Sequence, residues 1–163
     1  MTRLAVGRFK GWGLLVSHAL TLLVGVALGV YFLPILTAPQ GPSAQQVTAQ
    51  AGPAAYQGQF RRELQDSDAL HWGEGQLSVS AQSIGLVGEL APGPDYKLYL
   101  SPQFVETEAE FERLKARMVR VGDIKTFKNF LLQVPATVNI EDYRAVIVWC
   151  EAFGQFITAA QYK

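Results

Sequence analysis

Cysteine occurs once in these 163 residues and histidine twice. A single cysteine excludes an intrachain disulfide, so Cys150 is an inert core residue, a link to another chain or a chemical site. The scarcity of nitrogen and sulfur ligands also excludes a structural zinc site made from this chain without carboxylates, because such a site needs about four ligands. The sequence lacks CxxC, HExxH, GxSxG, P-loop and CxxCH patterns, so no hydrolase, transferase or metal-dependent chemistry is indicated. No internal repeat is present.

Charge is missing from Leu14 to Leu36, while Arg3, Arg8 and Lys10 precede that stretch with no acidic residue among them. At ~1.5 Å per residue the apolar run reaches about 34 Å, enough for a ~30 Å hydrocarbon core. We therefore expect a cytoplasmic basic flank at 1–13 and a transmembrane helix at 14–36, ending or kinking near Pro34. By the positive-inside tendency, everything after Leu36 lies in the periplasm or outside the cell. A cleaved signal peptide shares the basic start. Against it stand the length of the run and Pro39, which follows the small residue Ala38 where a peptidase would cut. His18, Thr21, Gly25 and Gly29 share one face, and Gly25 with Gly29 forms a small-xxx-small pair suited to helix–helix self-association.

Residues 37–55 are rich in Pro, Gly, Gln, Ala and Ser and carry no charge, a composition expected of a flexible linker. The remainder, 56–163, has the length of one domain. All 14 acidic residues of the chain face 11 of its 14 basic ones there, for a net charge of −3. So mildly acidic a surface excludes nucleic acid as a natural partner.

Alternation marks Leu77-Val79-Ala81 and Tyr96-Leu98-Leu100 as half-buried strands. Gly73-Glu74-Gly75 and Pro92-Gly93-Pro94-Asp95 read as turns before them, and Gly85 and Gly88 interrupt the stretch from Ile84 to Leu90. Glu106 to Met118 reads as the one helix, with Phe111, Leu114 and Met118 on its apolar face, acids at its start and bases at its end. Val119 to Ile124, Phe130 to Val134, Arg144 to Ala152 and Phe156 to Ala159 read as further strands. The pattern predicts an all-β domain, a small antiparallel β-sandwich or barrel with one short helix.

Alternation along Arg144 to Ala152 puts Ala145, Ile147 and Trp149 on one face and Val146, Val148 and Cys150 on the other. Buried among aliphatic residues, the thiol would have a raised pKa and be inert. His71-Trp72-Gly73-Glu74-Gly75 sets an imidazole beside an indole and a carboxylate, either as a packed turn or as a means of placing a proton donor. Cys150, His71 and Met118 are the candidates for axial haem ligation, although no specific haem motif occurs.

The ordered set His71-Trp72-x-Glu74-Gly75, Gly93-Pro94-Asp95-x-x-Leu98-Tyr99-Leu100-Ser101, Val121-Gly122-Asp123-Ile124-Lys125, Val134-Pro135 and Tyr143-x-x-Val146-Ile147-Val148-Trp149-Cys150-x-x-Phe153 resembles the DM-thirteen domain family. The sequence departs from that pattern at Asn129-Phe130, where a glycine is usual, and at Gln161-Tyr162. The resemblance implies an all-β domain outside the membrane, often behind a single anchor in bacteria, proposed to transfer electrons. It also implies that Cys150 is a redox centre, as a naked thiol or by holding a group such as haem, with His71 a candidate neighbour and a redox or membrane protein as partner. The alternative is a protein- or glycan-binding module in which Cys150 only packs.

Overall fold

The computed structural model describes residues 4–51 and 54–163, with side chains from Gly11 onward. Arg3 and the side chains of Arg8 and Lys10 lie outside that description. Helix α1 runs from Leu4 to Thr37 without a break at Pro34. Thr37 Oγ1 donates to Leu33 O and the Ala38 amide to Pro34 O, which ties the turn after the proline to the turn before it. The stretch Gly11–Thr37, with mean hydropathy 2.3, is long and apolar enough to cross a membrane, a test that an anchor and a signal sequence both pass. Its few polar groups turn back on the helix: His18 Nδ1 lies 2.8 Å from Leu14 O, and Thr21 Oγ1 donates to Ser17 O. A methyl group at Gly25 or Gly29 would meet nothing within 4 Å, so that face makes no contact within the chain.

The segment 37–55 is not the free tether its composition suggested. Ala44–Gln50 forms helix α2, started by a capping box in which the Ser43 hydroxyl accepts from the Gln46 amide and the Gln46 side chain accepts from the Ser43 amide. Val47, 1% exposed, seats the helix against Gly85, where the missing side chain leaves room for it. Asn129 Nδ2 donates to Pro42 O before α2, and Ser83 Oγ donates to Ala51 O after it. One buried apolar residue and satisfied backbone ends thus outweigh a composition poor in packing residues.

Eight strands follow: β1 (Tyr56–Phe60), β2 (Gly73–Val79), β3 (Ser83–Leu90), β4 (Tyr96–Ser101), β5 (Val119–Ile124), β6 (Lys128–Gln133), β7 (Ala145–Cys150) and β8 (Gln155–Gln161). They make two antiparallel four-stranded sheets, ordered β1-β2-β3-β6 and β5-β4-β7-β8. The all-β expectation holds, and of its two forms the sandwich is the one adopted; no closed barrel forms. Between the sheets lie Leu77, Ile84, Leu86, Leu98, Leu100, Val146, Val148 and Ile157, all essentially sealed from solvent. Each such side chain contributes about 1.5–3 kcal/mol on burial.

A second cluster covers the outer face of the β5-β4-β7-β8 sheet. Helix α3 (Glu108–Leu114), capped by the Thr107 hydroxyl, continues into a 3-10 turn at Lys115–Arg117 and lays Phe111 flat on Trp149, ring centroids 3.9 Å apart. The helix is shorter than Glu106 to Met118 because Thr107, in extended conformation, caps it at its start and its last turn tightens. Two expectations about glycine fail. Gly73-Glu74-Gly75 opens β2 instead of preceding it, and β3 runs through Gly85 and Gly88. Gly75, at φ +132°, is paired directly with Gly88, and each backbone occupies the space where the other's side chain would be.

Candidate functional site

Alternation along β7 places side chains as expected. Ile147 and Trp149 pack under α3, while Val146, Val148 and Cys150 face the interior of the sandwich. Cys150 is the last residue of β7, opposite Tyr96 at the start of β4. It is 3% exposed, which removes the exposed strand end that a disulfide between two chains would require.

Two loops close over this end of the sheet. Glu151 to Gly154 turns back towards β8, with Gly154 at φ +62°. The Pro92-to-Asp95 loop lies beside it, and the Glu151 amide donates to Asp95 O at 3.0 Å. Glu151 itself is held by the Tyr99 hydroxyl and by Lys115 Nζ at 2.9 Å, so the chain just after Cys150 is fixed to the 3-10 turn that follows α3. Burial raises the pKa of the Cys150 thiol. The backbone N–H groups of Phe153, Asp95 and Ala152 oppose that rise by favouring the thiolate, while the charge of Asp95 adds to it. Tyr96, buried beside it, is also held above the ordinary tyrosine range, first by burial and then by the charge that Cys150 would carry.

His71 arrives from the turn before β2. Asp68 builds this turn: its Oδ1 accepts from the amides of Leu70 and His71 at 2.6 and 2.8 Å, and its Oδ2 lies 3.0 Å from His71 Nδ1. The His71 hydrogen bond is the main reason that Asp68 sits below the usual carboxylate range. A carboxylate only accepts, so Nδ1 carries hydrogen and Nε2 is left free. The acid beside the imidazole is therefore Asp68. Glu74 is turned away into a two-pronged pair with Arg62 at 2.8 Å, and the Arg62 guanidinium lies 3.3 Å over the Trp72 ring. Sequence spacing pointed to Glu74; the Asp68-x-Leu70-His71 turn was the signal that pointed elsewhere.

Cys150 and His71 line the same cavity of about 410 Å³, together with Tyr96, Leu70, Phe153 and the Pro92–Pro94 loop, and α1 closes one side with Ala27, Val30 and Tyr31. Neither Tyr96 nor the α1 contribution was expected from the sequence. Gly93 makes the Tyr96 position available, since any side chain there would overlap the phenol ring. Met118, the third haem-ligand candidate, packs in the cluster under α3 on the opposite face of the sheet from Cys150, so the two cannot bind one iron. Among the described residues no three His, Cys, Asp or Glu side chains converge as a metal site.

The family model described as electron transfer DM13 matches residues 60–162, from β1 to the end of β8. No curated protein and no solved structure matches the chain.

Proposed function

The chain belongs to the electron-transfer DM13 family, and from that premise we propose that it is a membrane-anchored redox module facing the periplasm or cell exterior, with Cys150 as its reacting group. The observation that carries this reading is the shared cavity: the one thiol and the one imidazole outside α1 line the same space. A thiol enters redox chemistry as the thiolate. His71, oriented through Nδ1 by Asp68, presents Nε2 as the base for the S–H proton, and the backbone N–H groups around the sulfur favour the resulting charge. Anchoring by 14–36, with the basic flank in the cytoplasm, is supported by the seating of α1 on the cavity, a contact that would be lost if the helix were removed as a signal sequence.

A haem is a poor fit to this site. No lysine or arginine lines the cavity to take its carboxylates, and the volume is near the lower end for ligand pockets. The redox chemistry is therefore assigned to the thiol itself.

The test is a thiol titration of the full chain in detergent, read with its visible absorption spectrum. We expect no chromophore. Alkylation of Cys150 should be slow at pH 7 and rise about tenfold per pH unit until the raised pKa is passed. His71→Ala should slow the reaction at every pH below that point. A Cys150 that stays unreactive to pH 10 in the folded protein would leave it a packing residue and favour the binding-module alternative.

A further inference from the structure

Outside α1, Leu70 and Phe153 are the two exposed large hydrophobic side chains among the described residues, at 55% and 57%. They come from different loops, yet both lie at the rim of the Cys150 cavity, next to Val30 and Tyr31 of α1. The level of that rim relative to a bilayer can be read from α1. Aromatic residues mark the two edges of a membrane span, and Trp12 and Tyr31 are 19 residues apart, about 29 Å along a helix and close to the ~30 Å hydrocarbon thickness. With Trp12 at the inner edge, Tyr31 and its neighbour Phe32 lie at the outer edge of the hydrocarbon, and Leu33 to Leu36, the end of the 14–36 span, pass through the headgroup layer. Leu70 and Phe153 then meet the boundary between acyl chains and headgroups.

The interior of the cavity narrows the choice of occupant. Its lining contains no Lys, Arg, Asp or Glu, so nothing there would pair with a phosphate or a carboxylate. It does contain hydrogen-bonding groups: His71 Nε2, and the hydroxyl of Tyr96, a residue that lines the cavity beside Gly93. A neutral ring bearing carbonyl or hydroxyl oxygens, attached to an apolar tail, meets each of these conditions.

We propose that the cavity opens into the outer leaflet and binds a lipid-dissolved ligand of the quinone class, with the Tyr96 hydroxyl donating to one ring oxygen, His71 Nε2 accepting from a ring hydroxyl of the reduced form, and Leu70 and Phe153 seated among the lipid chains. This rests on the anchored redox reading above and adds the class of molecule that shares the cavity with the thiol.

The experiment uses the full chain in phosphatidylcholine nanodiscs and has two arms. In the first, Leu70→Cys and Phe153→Cys are each placed in a Cys150→Ala background and labelled with an environment-sensitive fluorophore, with Ala81→Cys at the opposite end of the sandwich as control. Lipids carrying a nitroxide near the headgroup should quench the two rim labels at least threefold more than the control. Equal quenching would overturn the membrane-facing mouth. In the second, a fully substituted benzoquinone with a ten-carbon tail is added to the unlabelled native chain, and decanol serves as the tail-only control. The quinone should raise the Tm, by an amount on the order of 10 °C at a hundredfold excess over its Kd. Tyr96→Phe should weaken binding of the quinone about tenfold, and His71→Ala should weaken binding of its reduced, hydroxyl-bearing form about tenfold. No rise, an equal rise with decanol, or insensitivity to both substitutions would overturn the ligand assignment. A reactive Cys150 with no quinone effect would defeat this inference and leave the redox module standing.

Discussion

Cys150 packs as a core residue at the rim of a cavity, and the two roles make different demands on a substitution. The sulfur fills space in the sandwich interior beside Tyr96 and Val148. Cys150→Ala removes one buried heavy atom and should cost about 1 kcal/mol, whereas Cys150→Ser buries a hydroxyl in an apolar setting and should cost more, about 2 kcal/mol. Urea midpoints of the two variants check the order. Any redox activity should vanish in both, although the alanine variant stays folded at room temperature. Activity surviving in Cys150→Ala would remove the thiol from the chemistry. The position of Cys150 on its strand was legible because a period-two alternation fixes which face a residue takes. Its neighbours were not. Tyr96 is 54 residues away and reaches Cys150 only through the pairing of β4 with β7, and the Asp68–His71 contact depends on a turn of four polar and apolar residues that carries no periodicity.

Among the elements, strands marked by alternation or by a near-continuous apolar run were found, although β2 begins four residues before the alternation does, and those with neither signal were missed. β1, Tyr56-Gln-Gly-Gln-Phe60, has only Phe60 fully buried, so little in its composition distinguishes it from loop. Helix α2 was hidden in the same way, since a single Val47 supplies its packing. The departure from the family pattern at Asn129 has a structural answer. Asn129 is the one non-glycine residue at positive φ among those described, at 51°, the left-handed region that a glycine would also adopt and that asparagine tolerates better than most residues. Its side chain then does what glycine could not: Oδ1 accepts from the Gly88 amide at 3.0 Å, at the β3–β6 bulge, and Nδ2 donates to Pro42 O, fastening the start of α2. Asn129→Gly keeps the backbone geometry and loses both bonds, at about 1–2 kcal/mol; Asn129→Ala adds a strained backbone and should cost about 1 kcal/mol more. Chemical denaturation of the two variants tests that ranking, and an alanine variant as stable as the glycine one would show that the turn relaxes.

For the molecule as a whole, the sandwich buries several groups that ionise only at high pH, and this sets the alkaline limit of its stability. Burial raises the pKa of Cys150, Tyr96, Tyr99 and Tyr162; Glu151 adds to the rise at Tyr99, and the charge of Glu141 adds to it at Tyr162. The Tyr162 hydroxyl is also committed as a donor to Ile140 O at 2.7 Å. In the unfolded chain the thiol loses its proton near pH 8.5 and the phenols near pH 10. The folded state holds all four protons to higher pH, so above those values it binds more protons than the unfolded state and stability must fall as pH rises. Below about pH 8 the contribution of these groups is fully present. The urea midpoint of the full chain in detergent should therefore vary little on their account from pH 6 to 8, then fall above about pH 9.5, each group steepening the loss by up to about 1.4 kcal/mol per pH unit. Tyr162→Phe lowers the starting stability by removing the hydrogen bond to Ile140, but it also removes one titrating phenol, so its decline above pH 10 should be shallower than that of the native chain. Parallel declines in the two proteins would mean that Tyr162 ionises in the folded state as readily as in water, and the burial of its side chain would not hold in solution.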